Sequence, residues 1–168
     1  SIGVHTAMQD STPMILLVGQ VARDQMGREA FQEIDYRHMF GAPITKWATQ
    51  IENAADIPTV MNDAFHMAHE GRPGPVVVAL PEDMLCDLSD AAVPPPRAIT
   101  PFAPAPRDLA RLKEILAAAK NPLVIVGGGN WDENAIRAFE DFAAANALPV
   151  AASRSEEHTS ELQSPCNL

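Results

Sequence analysis

The sequence predicts an α/β fold built from parallel βα units. Three features point there: short continuous apolar runs recur, stretches with an apolar period of about 3.6 residues separate them, and a proline-dense segment divides the pattern in two. Strands buried on both faces read as unbroken apolar runs rather than as alternation. Parallel neighbours also need a crossover connection, which a helix supplies.

The elements follow in order. Met14 to Val18 (MILLV), ending at Gly19, has the form of a strand buried on both faces. From Asp56, Ile57, Val60, Ala64 and Met67 recur at helical spacing; Asp56 can cap, Pro58 suits the first turn, and Gly71 and Pro73 end the helix. Pro75 to Leu80 (PVVVAL) is a second doubly buried strand. Leu109, Leu112, Leu116 and Ala119 then line one face of a helix that ends at Asn121-Pro122. Leu123 to Val126 is a strand and Gly127 to Gly129 a turn. Ile136, Phe139 and Ala143 mark a further helix, which Asn130 can cap with Glu133 reaching back, and Leu148 to Ala152 is the next strand.

Between Leu88 and Arg107 stand Pro94, Pro95, Pro96, Pro101, Pro104 and Pro106, with little periodicity. Proline at that density fixes φ and removes backbone donors, so this stretch is expected to be an extended, semi-rigid connector between two domains. After Ser153 the composition changes abruptly. RSEEHTSELQSPCNL, 154–168, lacks helical or strand period and looks like the conceptual translation of a sequencing-library adapter, so it is expected to be a foreign or disordered tail.

The formal charge is −10, and the tail contributes one Arg against three Glu, leaving −8 for the rest. With no basic cluster, a nucleic-acid-binding surface is not expected. Cys166 lies in the tail and leaves Cys86 without a partner, so neither a disulfide framework nor a cysteine metal site is expected. A reduced, cytoplasmic setting fits. No apolar run approaches the roughly 20 residues of a membrane span, and no membrane partner is expected.

Four landmarks occur in a fixed order: DSTPMILLVGQV at Asp10 to Val21, GREAFQEID at Gly27 to Asp35, PITKW at Pro43 to Trp47, and GRPGPVVVALPEDM at Gly71 to Met84. In this order they resemble the second half of the pyrimidine-binding domain of thiamine diphosphate-dependent enzymes, most closely the acetolactate synthase large-subunit group. The resemblance implies that 1–88 form the C-terminal part of that domain, 89–106 the linker, and 107–153 the start of a Rossmann-like middle domain. It further implies a carboligase or decarboxylase acting on 2-keto acids, a transferase or lyase using thiamine diphosphate and Mg²⁺. It also implies a homodimer or homotetramer with active sites between subunits. In that family the activating glutamate lies upstream of such a segment and the diphosphate and Mg²⁺ site far downstream. An incomplete, inactive fragment is therefore expected. An oxalyl-CoA decarboxylase or benzaldehyde lyase branch, and a non-catalytic nucleotide-binding module, are the alternatives.

The same resemblance places Phe31 and Gln32, in AFQE, on the thiazolium and substrate side of the active site. An amide there hydrogen-bonds a substrate-derived oxygen while the ring excludes water. Taken without the resemblance, Ala30, Phe31 and Ile34 read as the apolar face of a short helix with Gln32 exposed. Gly127, Gly128 and Gly129 let a phosphate approach a helix N-terminus, and in the synthase branch this part of the middle domain helps bind FAD. They equally suit a tight turn, because the third glycine of a dinucleotide fingerprint is replaced by Asp132. Arg72, in GRPGP, matches an arginine near that flavin, or else is a cation at a helix C-terminus. Two departures set the chain apart: Ala22 stands where proline often follows GQV, and Glu82 where the synthase-like pattern has lysine. His66 and His69 are three apart on a helix but lack a third metal ligand, so they read as solvated helix residues.

Overall fold

A computed structural model describes residues 2–100, 103–127 and 131–153. The chain forms two compact units, Ser1–Pro101 and Phe102–Leu168, and the division falls inside the proline-rich stretch.

The first unit is a three-stranded parallel sheet of β1 (Met14–Gln20), β2 (Trp47–Gln50) and β3 (Pro75–Pro81), in the order β1-β3-β2. Helices α1 (Ile2–Gln9) and α2 (Tyr36–Met39) cover one face and α3 (Ile57–His69) the other. The strand period of two sorts the core between them. Val77, with Leu16 and Ala48 beside it in register, points to Val4 and Phe40. Val76 and Val78 point the opposite way, toward Ala64 and Ala68 of α3 and to Ile51 and Met84. Small residues let α3 approach the sheet closely. Val76, Val77 and Val78 are all fully buried, each contributing about 1.5–3 kcal/mol relative to an exposed side chain.

Only β3 meets the expectation of a strand buried on both faces. β1 lies at the edge of the described sheet, and Leu17 is half exposed there. Three elements were not expected, the single-turn helix α2 among them. β2 reads WATQ, too short and too polar to stand out as a strand, and α1 lies ahead of the first apolar run. Asp56 does not cap α3 through its side chain; a 3₁₀ turn at Ala54–Asp56 leads into the helix instead. The helix stops where expected, with Gly71 at φ +64° directly after its last residues.

The second unit holds α4 (Pro106–Ala118), β4 (Val124–Val126), α5 (Glu133–Ala145) and β5 (Val150–Ala152), with β4 and β5 parallel. Asp132 caps α5 by accepting from the Ala135 amide at 2.7 Å, in place of the expected Asn130, which lies outside the described residues. Trp131 packs edge-on against Phe139 at 5.7 Å. The predicted apolar face of α4 is largely open: Leu109 and Leu112 are each about half exposed and only Leu116 is partly buried, while Ala119 falls just beyond the helix as its C-cap. The expectation for 154–168 likewise falls outside the described residues.

Candidate active site at the carboxyl edge of the first sheet

In parallel α/β sheets, ligands meet the loops that leave the carboxyl ends of the strands. Here those loops follow Gln20, Gln50 and Pro81, and the first of them, 21–35, carries Phe31 and Gln32. This segment is not the short helix that the residue pattern allowed. It is a series of turns, and helix begins only at Tyr36.

Three sets of bonds anchor the loop. Gln20, 6% exposed, donates from Nε2 to the Ile34 carbonyl at 2.7 Å and accepts at Oε1 from the Val21 amide, so it ties the loop's exit to its entrance. Arg23 binds Asp83 through Nε at 2.7 Å and Asp87 through Nη2 at 2.9 Å, and its Nη1 donates to the Glu52 carbonyl at 3.0 Å. That guanidinium joins all three carboxyl-edge loops. The Asp83 carboxyl is held below the usual carboxylate range, chiefly by the Arg23 side chain, and Arg23 is raised in turn. Glu33 accepts from the Gly27 and Ala30 amides, which lower its pKa. The carboxylate thus closes the loop on itself.

The closed loop leaves Phe31 89% exposed and Gln32 exposed beside it. Gln32 also has φ +69° and Glu29 φ +56°, a region that costs a non-glycine residue about 1–2 kcal/mol. Phe31 and Gln32 thus stand exposed on a loop whose neighbouring residues Gly27, Ala30 and Glu33 are bonded to one another. Glu82 belongs to the same edge, where its amide donates to the Gln20 carbonyl at 3.1 Å. The departure from the synthase-like pattern therefore falls next to the loop.

The other expected site residues lie elsewhere. Arg72 sits just before β3, at the amino edge of the sheet. Six residue steps of β3 lie between Pro75 and the carboxyl edge, roughly 20 Å of strand. Its Nε donates to Ser11 Oγ at 2.8 Å, and Nη2 donates to the Met8 and Gln9 carbonyls at 2.8 and 3.0 Å. Arg72 is thus a helix C-terminal cation, though for α1 rather than for the helix that precedes it in sequence. Gly127 is exposed at the end of β4 in the second unit, while Gly128 and Gly129 lie outside the described residues. His69 is exposed, but His66 is not the solvated residue expected: its side chain is 13% exposed. Among the described residues no three His, Cys, Asp or Glu side chains gather in a way that would hold a metal ion, and no helix is long and apolar enough to cross a membrane.

Fold and site together define a parallel α/β segment that presents an anchored aromatic-amide pair at the carboxyl edge of its sheet. No family model matches the chain. Its sequence is similar to acetolactate synthase large subunits over most of its length. It is 38% identical over 134 residues to a probable large subunit from Methanococcus aeolicus, covering 76% of this chain and 22% of that one. It is 34% identical over 152 residues to the large subunit of Lactococcus lactis, covering 88% and 26%. Against the isozyme 3 large subunit of Escherichia coli it is 36% identical over 159 residues, covering 90% and 27%. The chain spans about a quarter of the length of the curated relatives it matches.

Proposed function

We propose that this chain is the part of a thiamine diphosphate-dependent carboligase or decarboxylase that presents the substrate-facing loop, and that the working enzyme acts on a 2-keto acid. The observation that carries the proposal is the coincidence of two findings. The chain is similar to acetolactate synthase large subunits over most of its length, and its AFQE loop stands anchored at the carboxyl edge of a parallel sheet.

The residues present fit one side of such a site. Thiamine diphosphate, when bound, supplies the electron sink that decarboxylation of a 2-keto acid requires. The Gln32 amide donates a hydrogen bond to a substrate oxygen on which charge develops, and Phe31 keeps water from that oxygen. Glu33, Arg23 and Gln20 hold the pair in place before substrate arrives, so no reorganisation is needed at the moment of reaction. The resemblance puts Mg²⁺ and the diphosphate on polypeptide beyond these elements, and we assign them there. A flavin contact by Arg72 would require that side chain to give up its bonds to α1, so FAD enters the proposal only through the turn that begins at Gly127.

In this reading residues 1–88 complete a pyrimidine-binding domain, 107–153 open a middle domain, and the exposed Phe31 reaches a site shared between the subunits of a homodimer. A CO₂-release assay with pyruvate tests it. A polypeptide of the relatives' length that contains these residues should turn over only with thiamine diphosphate and Mg²⁺, and the 168-residue chain should show neither turnover nor calorimetric binding of thiamine diphosphate. Turnover by the short chain would overturn the assignment of its parts.

A further inference from the structure

The proline-rich segment does not merely connect. Pro94, Pro95 and Pro96 fix their own φ and drive the residue before each out of the helical region, which favours polyproline II, a form with three residues per turn and no internal hydrogen bonds. The way the segment lies on α3 has that period. Val93, Pro96 and Ile99 line a cleft shared with Pro58 and Phe65 of α3, Pro94 and Arg97 line it beside them, and the third face, Pro95 and Ala98, stays out of it.

Polar groups of α3 set the register. Asn62 takes the segment's backbone at two points: its Nδ2 donates to the Pro95 carbonyl at 2.7 Å, and its Oδ1 accepts from the Arg97 amide at 3.1 Å. Proline has no N–H, so Arg97 carries the first amide after the run, and that amide fixes the frame. Arg97 Nη1 then donates to Asp63 Oδ1 at 2.7 Å, and the Thr100 amide donates to Glu70 Oε2 at 3.1 Å. The helix rises about 12 Å from Asn62 to Glu70 and an extended segment about 15 Å from Pro95 to Thr100, so the segment spans its anchors while running parallel to α3. All four bonds are exposed, and the cleft keeps about 470 Å³ unfilled. The segment is thus held by features that another polypeptide can present, and it is not sealed in.

We propose that this face of α3 is a seat for an extended proline run followed by arginine, filled here by the chain's own residues 93–100 and able to take the same kind of segment from a separate polypeptide. Asp63 and Glu70 give the seat the charge that suits a basic partner, and the preset polyproline form lowers the entropy lost on docking. The seat does not depend on the function proposed for the Phe31–Gln32 loop.

Titration of the isotope-labelled full chain with a synthetic peptide of sequence 91–100, AAVPPPRAIT, tests this by amide NMR. Arg97→Pro in the chain removes both the amide and the guanidinium that hold its own segment, at an exposed position where a further proline suits the extended backbone. That variant should bind the peptide saturably, with shifts concentrated in 57–70, and about tenfold more tightly than the unaltered chain, whose seat is already filled from within. Adding Asn62→Ala should weaken binding about tenfold while keeping the helix, since alanine is the better helix former. A peptide with proline in place of its arginine should be weakened likewise. Absence of saturation in the Arg97→Pro chain, equal affinity of that chain and the unaltered one, or undiminished affinity after either of the other two changes would each overturn the proposal.

Discussion

The Glu33 carboxylate accepts from the Gly27 and Ala30 amides, and those bonds hold its pKa below the usual 4.5. A carboxyl whose folded pKa is depressed contributes its stabilisation fully above the unfolded value and loses it as pH falls through the folded one. Asp35, lowered chiefly by the His38 amide, and Asp83, lowered chiefly by Arg23, titrate in the same direction at the same edge. Loop 27–33 should therefore stay ordered at neutral pH and open as pH drops below 4.5, seen as faster exchange of the Gly27 and Ala30 amides. Glu33→Gln should show fast exchange at pH 7 already; slow, pH-independent exchange in that variant would remove Glu33 as the clasp. Arg72 has a different duty, and Arg72→Ala should cost roughly 1 kcal/mol by fraying the end of α1 while leaving the loop amides unchanged. The resemblance, and not the local phrase AFQE, singled out Phe31 and Gln32; read by itself that phrase suggests a short helix. Their anchors were not legible, because Gln20 meets Ile34 across 14 residues and Arg23 meets Asp83 across 60, separations at which no local pattern forms.

Among the elements, periodicity revealed what burial enforces and missed what topology supplies. PVVVAL is apolar throughout because β3 sits between two strands and under helices on both faces, so its sequence could be read directly. WATQ is a strand chiefly because β3 offers it a partner, and nothing local demands it. MILLV shows how far an apolar run can mislead: it is a strand as expected, yet it lies at the edge of the described sheet. A pair of variants separates the two situations. Met84→Ala, at a fully buried side chain of the core next to α3, should lower stability by about 2–5 kcal/mol in urea denaturation. Leu17→Ala, at a half-exposed one, should cost less than about 1 kcal/mol. Equal losses would mean that β1 is covered in solution.

At the scale of the whole molecule, the two units differ in how far they close. The first has apolar clusters on both faces of its sheet. The second has few buried side chains among its described residues, Val126 and Ala143 among them, and exposes Leu109, Leu112, Ile115, Leu123 and Ile125. Apolar surface of that extent seeks a partner. The 168-residue chain should bind a hydrophobic dye and self-associate with rising concentration in light scattering; a monodisperse monomer that leaves the dye dark would show those faces to be satisfied.

The central claim is that Gln32 stands where a substrate oxygen gains charge. Its most direct test is Gln32→Ala in a polypeptide of the relatives' length that contains these residues, with CO₂ release and thiamine diphosphate affinity measured on the same preparation. Turnover should fall by roughly 10²-fold or more, the usual loss when one donor to a developing oxyanion is removed, while cofactor affinity stays unchanged. Unaltered turnover would take Gln32 out of the site, and a parallel loss of cofactor affinity would make its role structural.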